Sequence, residues 1–242
     1  MKREIEDEEL GRLVLQVNVH AKNFIFRTKI DAIYITIPPH VTLKETKEVI
    51  EKMRDKLIAS QKHTPRTLID LNYRIEAKYF NLSLVTGTHK KFLAHSQLGN
   101  TEIVCPPDTD FNNEKLQIWL KKIIEEALRK NAKTILPPHL SALSAHYKLP
   151  FREVKINSSH GRWGSCSVKK VINLSFYILL LPQHLIDYIL LHELCHTCEM
   201  NHSNRFWALL NNFTDGKALA LRQELKKYKT DIIQNNYPLP KN

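Results

Sequence analysis

His192-Glu193-Leu194-Cys195-His196, with His202 six residues further on in Asn201-His202-Ser203, is the stretch on which the reading of this chain turns. In an α-helix, residues four apart lie about 40° from each other around the axis, so His192 and His196 present their imidazoles to one point. Glu193 sits off that line yet close enough to touch a water at the same metal, as the H-E-x-x-H pattern requires. It is placed as a base and not as a ligand. A continuing helix would carry His202 about 120° away from His196, so the helix must end and turn back between Thr197 and Asn201. Asn201 tolerates the left-handed backbone that ends helices, and Ser203 is a good N-cap for a new helix from about Asn204. Three His ligands with one open position make up a catalytic zinc site, whereas structural zinc sites are closed by four protein ligands.

Two neighbours compete for a metal role. Glu199 stands where the longer H-E-x-x-H-x-x-G-x-x-H pattern has Gly, so the turn toward His202 must be made differently. Its carboxylate is an acceptable zinc donor, although a helix-surface role suits it better. Cys195-x-x-Cys198 interleaves with the two His and has no second C-x-x-C to complete a zinc ribbon, so both read as reduced packing thiols, as do Cys105 and Cys166.

Upstream of the metal motif the pattern is that of a strand over residues 151–156, a loop at Asn157-Ser158-Ser159-His160-Gly161, and a hairpin formed by 162–167 and 171–176. Arg162 in this hairpin is positioned to hydrogen-bond a substrate backbone or an oxyanion; the alternative is that it pairs with a carboxylate such as Asp187. Asp187 could instead orient a ligand His from behind. Trp163 and Trp207 read as core or cleft-wall residues, and His160 and Tyr188 as weaker candidates for stabilising a transition state.

Arg162-Trp163-Gly164-Ser165-Cys166-Ser167, Ile172-Asn173-Leu174, Pro182, Ile186-Asp187-Tyr188, the His192–His196 pentapeptide and Asn201-His202-Ser203-x-x-Phe206-Trp207 follow one another in an order that resembles the YgjP-like family of predicted zinc metallopeptidases. That family is related to the SprT-like and WLM proteases. The resemblance is dense over residues 150–230 and one of pattern only upstream. It implies a zincin-like fold with Zn2+ on His192, His196 and His202 and Glu193 as catalytic base, acting on a peptide or protein substrate.

Along the rest of the chain, residues 13–19, 24–26 and 33–37 alternate as antiparallel strands ending at Pro38-Pro39. Thr42-Leu43-Lys44-Glu45 is a capping box, and Val49, Ile50, Met53 and Leu57 share one face of the helix that follows. Thr64-Pro65 breaks the chain; residues 68–85 and 103–105 read as further strands, and 87–99 is hard to assign. Pro106-Pro107-Asp108 divides a β-rich N-terminal region, 1–108, from a zincin-like metallopeptidase domain, 109–242. The latter should open with a helix over 112–130, its core side carrying Leu116, Trp119, Leu120, Ile123 and Ala127, and a separate shorter helix over 138–147. Helices over 204–213 and 217–229 follow the metal motif, and the tail beyond Tyr237 should fray. No internal repeat is visible. The fold class expected is α+β.

At 242 residues, 43% hydrophobic and 25% charged, the chain has the composition of an ordinary globular protein, which excludes fibrous and disordered classes. The N-terminus lacks the apolar segment of a secretory signal, and the longest apolar run, 178–181, is too short to span a bilayer. A cytoplasmic location is expected. The net charge of +11 is uneven: residues 1–110 hold 17 Lys/Arg against 15 Asp/Glu, and residues 111–242 hold 19 against 10. The basic excess therefore accompanies the metal motif. It suits nucleic acid or acidic partners, although Lys scattered through helices also reads as a plain solvated face. Metal-dependent peptide hydrolysis leads. A DNA-associated protease or basic nucleic-acid-binding protein and a non-peptidase amide hydrolase are the alternatives.

Overall fold

The structure is a computed structural model, and it describes residues 2–28, 32–63 and 68–232. It is a mixed α and β fold with five α-helices and eleven strands among those residues. The chain divides into two compact units between Thr67 and Leu68. The break at Thr64-Pro65 and the tail beyond Tyr237 lie outside the described residues.

The first unit is a four-stranded sheet with one helix. Its strands β1 (Lys2–Asp7), β2 (Gly11–Val17), β3 (Ile25–Thr28) and β4 (Ile33–Ile37) lie in the order β1-β2-β4-β3. β1 and β3 pair antiparallel with their neighbours, but the central β2–β4 pair is parallel, where the alternation alone suggested antiparallel strands throughout. Period-two patterning fixes which face is buried and says nothing about strand direction. Leu13, Leu15, Ile33, Ile35 and Ile37 share one buried face and pack under α1 (Leu43–His63) through Ile50 and Leu57. The capping box forms as expected: the Thr42 amide donates to the Glu45 carboxylate at 2.8 Å, and the Glu45 amide donates back to Thr42 Oγ1 at 3.2 Å.

The second unit opens with another sheet of the same topology. Its strands β5 (Arg74–Ala77), β6 (Phe80–Thr86), β7 (Leu93–Gln97) and β8 (Asn100–Cys105) run in the order β5-β6-β8-β7, again with a parallel central pair flanked by antiparallel edges. The match extends to detail. Asn18 N donates to Ile37 O at 3.0 Å, and its counterpart Gly87 N donates to Cys105 O at 2.8 Å. In both units the fourth strand ends on Pro-Pro, at Pro38-Pro39 and Pro106-Pro107, before a helix begins. The chain thus contains a repeat of topology, four strands and a helix, that its side chains conceal.

This second sheet shares its core with everything downstream, so the unit boundary falls at residue 67 and not at Pro106-Pro107-Asp108. Ile75, Phe80, Leu82, Leu84 and Ile103 pack in one cluster with Leu120, Ile124, Leu128, Leu136 and Leu140 of α2 (Glu114–Tyr147). Proline at a strand end marks a turn, and a turn need not be a domain edge. α2 runs unbroken through Pro137 and Pro138, where two helices were expected. The carbonyls these prolines orphan belong to Lys133 and Thr134, both exposed to solvent, while Leu136 and Leu140 keep the helix docked. Trp119 is 38% exposed and packs against Phe92 at 5.0 Å, outside the apolar face expected for it. Buried Asn131 accepts a 2.6 Å bond from the amide of Gly99, which closes the β7–β8 turn at a φ of +82°.

A third sheet carries the site wall. It comprises β9 (Glu153–Asn157), β10 (Gly164–Cys166) and β11 (Val171–Ser175) in the order β10-β11-β9, so β10 is an edge. The expected hairpin is β10–β11, and β9 lies parallel to β11. A 3-10 turn at Phe176–Leu180 leads into α3 (Gln183–Cys195). α3 is buried nearly all round, which makes it the central helix of the unit. α4 (Asn204–Phe213) and α5 (Ala218–Leu225) close the chain, α5 ending short of the expected residue 229.

Candidate metal centre

α3 delivers His192, Glu193 and His196 together because the helix ends at the second His. Its last residue is Cys195, and His196 occupies the C-cap. The chain turns through Thr197–Cys198, and Ser203 restarts a helix by accepting a 3.4 Å bond from Phe206 N. This brings His202 back. His192 Nε2 lies 3.2 Å from His196 Nε2 and 3.0 Å from His202 Nε2, and ligand atoms of all three lie within 4.8 Å of one another. Among the described residues this is the one group of three or more His, Cys, Asp or Glu able to hold a metal ion. Glu199 and the Cys195/Cys198 pair are not in it. Cys195 is buried, Cys198 is exposed, and all four cysteines are free thiols.

The donor set fits a metal. Tetrahedral ligands on bonds of roughly 2.0–2.1 Å stand roughly 3.3–3.4 Å apart, close to the two nitrogen separations found. The surroundings of the imidazoles also favour the uncharged form that ligands need. Burial pushes His192 down to about 3, helped by the neighbouring His196, His202 and the Arg222 charge. Burial likewise lowers His196 and His202. His196 donates its Nδ1 hydrogen to the Glu199 carbonyl at 3.0 Å, which leaves Nε2 free to ligate. Here Glu199 contributes its backbone. Fully buried Phe206 supplies a floor under the cluster, its ring 4.9, 4.5 and 4.7 Å from those of His192, His196 and His202.

Glu193 is 5% exposed, and its Oε2 has no hydrogen-bond partner among the described residues. A buried carboxyl oxygen without a partner is costly, so its position next to His192 fits hydrogen bonding to a group that completes a metal's coordination. Burial raises its pKa to about 8, against a smaller opposing effect of the Arg162 charge. Gly164 makes the approach of β10 possible: a Cβ there would meet Glu193 Oε1, Cγ and Cδ at 2.6–2.8 Å.

The remaining sequence candidates separate cleanly. Asp187 is engaged elsewhere, accepting from Gln183 Nε2 at 2.7 Å and pairing with His139 Nε2 at 2.8 Å, so it neither holds Arg162 nor backs a ligand His. Arg162 is exposed, near enough for its charge to act on Glu193. His160 is structural. Its Nδ1 donates to the Thr230 carbonyl at 2.8 Å, Thr230 Oγ1 donates to the His160 carbonyl, and its ring packs on Tyr177, which donates to Glu125 at 2.7 Å. Tyr188, four residues before His192, faces it at 5.9 Å, and burial pushes its hydroxyl up to about 12. Trp163 packs against the core, and Trp207 stacks on His202 at 5.8 Å. Sequence reasoning passed over Gly164, Phe206 and Arg222. The first two stand inside the quoted motifs, where only their spacing to the histidines could have marked them.

A mixed α and β fold whose central helix and the turn after it bring together three histidines able to hold a metal ion defines a class of candidate metal-binding proteins. Within that class, the chain belongs to the YgjP-like metallopeptidase domain family, whose profile matches residues 22–228. Neither a curated protein nor a solved structure gives a match. No helix among the described residues is long and apolar enough to cross a membrane.

Proposed function

We propose that the protein is a zinc-dependent metallopeptidase of zincin-like fold, with His192, His196 and His202 as zinc ligands and Glu193 as general base. The observation that carries this reading is the unpartnered, buried oxygen of Glu193, the residue after His192, together with the three converging imidazoles. Zinc held by these three imidazoles would supply the Lewis acidity needed to acidify a water and polarise the scissile carbonyl. Glu193, fixed between α3 and the Gly164 backbone, accepts the proton of that water and passes it to the departing amine. Edge strand β10 offers main-chain groups to an extended peptide, and exposed Arg162, two residues before it, hydrogen-bonds the substrate backbone in this reading.

Stripping metal with a chelator should abolish digestion of a peptide library, and stoichiometric zinc should restore it. Cleavage that survives in metal-free protein contradicts the reading, and activity confined to small non-peptide amides points to a different hydrolase.

A further inference from the structure

Beyond the ligands and base, one cation stands on the rim of the centre. α5 is fastened to the start of α3 by His184 Nε2 and Glu224 Oε1 at 2.8 Å, while Asn211 Oδ1 holds its first amide at 3.2 Å. Leu221 and Leu225 turn into the core. On the exposed side, the Arg222 guanidinium lies over the Trp207 ring at 5.3 Å, and that ring in turn stacks on His202. Among the described residues no carboxylate pairs with Arg222 at salt-bridge distance. An arginine held over an aromatic ring by a cation–π contact keeps its planar fork of donors available, and that fork can receive a carboxylate in two parallel hydrogen bonds.

We propose that Arg222 is a specificity-determining residue that binds a carboxylate of the substrate beside the metal centre. This rests on the metallopeptidase reading and narrows it to peptides carrying negative charge close to the scissile bond. The carboxylate can belong to the peptide C-terminus or to an Asp or Glu side chain, and the same chemistry serves both. Arg222 therefore reaches the centre through the Trp207 ring that stacks on the ligand candidate His202. Trp207 serves as the platform that orients Arg222 and is not itself a catalytic residue.

The test uses zinc-loaded full-length Glu193→Gln protein, which binds without turnover, and three short alanine-based peptides. One has a free C-terminus, the second is its C-terminal amide, and the third is the amide with one Ala replaced by Glu. Calorimetry should show one of the carboxylate peptides binding roughly tenfold or more tightly than the plain amide, and this identifies the source of the charge. Adding Arg222→Gln should bring that ratio close to one, and Arg222→Lys should restore part of it. Lys217→Gln, at the N-cap of the same helix, should leave the ratio intact. Equal affinities for all three peptides, or a ratio lost equally in Lys217→Gln, would overturn the proposal. Digestion of the same peptides by the unaltered enzyme is scored separately: binding preference without cleavage sinks the peptidase reading alone, and cleavage without preference sinks the Arg222 role alone.

Discussion

Gly164 and Glu193 show how far the chemistry depends on the absence of one methyl group. Glu193 is buried beneath β10 only because position 164 has no side chain, and the nearest carboxyl atoms stand 2.6–2.8 Å from where a Cβ would lie. Gly164→Ala must therefore displace the carboxylate, while the imidazoles on the other side keep their geometry. Peptidase kcat/KM should fall roughly a hundredfold or more, the order associated with a misplaced general base. Bound zinc should stay at wild-type level by metal analysis; unchanged activity would show that Glu193 is not held as described. At this scale the sequence was informative wherever a residue acts through spacing. His192, His196 and His202 converge as the helix arithmetic required, and Ser203 caps as its position predicted. Phe206 and Arg222 were not legible, because contact with all three rings and stacking on Trp207 depend on how α4 and α5 return to α3.

Elements are joined by a few specific polar contacts that act at identifiable pH. In the first unit, Asp7 at the end of β1 accepts two bonds of 3.0 Å from Arg54 of α1, which also pairs with Glu51 at 2.8 Å. The Arg54 guanidinium lowers the Asp7 pKa to about 2 from its usual 3.8. Because the folded-state pKa is the lower one, the ionised pair stabilises the unit above about pH 4 and the contribution is lost as pH falls toward 2. Asp7→Asn should therefore speed hydrogen exchange of α1 amides at neutral pH relative to wild type, with the difference vanishing near pH 2. A difference that persists undiminished at pH 2 would assign the effect to packing. The expected elements were largely legible, since capping boxes and apolar periodicity are local. Their limits show at α2, where Pro137-Pro138 reads as a break, yet Leu136 and Leu140 anchor the helix through it. Strand direction escaped for a related reason: the parallel β2–β4 and β6–β8 pairs join residues that alternation alone cannot orient.

At the scale of the whole molecule, two units with the same four-strand order stand in one chain, and the second continues into the metal centre. The repeat was invisible to side-chain comparison because a sheet of this kind needs only apolar residues at alternate positions. Leu13, Leu15, Ile33 and Ile35 do in the first what Leu82, Leu84, Thr101 and Ile103 do in the second. The paired Pro38-Pro39 and Pro106-Pro107 were the remaining trace in sequence, and the latter was read as a domain edge. The density of motifs after residue 150 pointed to the family that the profile over residues 22–228 establishes. All of the site's described residues lie in the second unit, so the central claim can be tested there with one substitution. Zinc content and peptide hydrolysis should be measured side by side in wild-type protein and Glu193→Gln. About one zinc per chain is expected in both, with hydrolysis lost only in the variant; a Glu193→Gln protein that still cleaves peptides at the wild-type rate would contradict the role of Glu193 as general base.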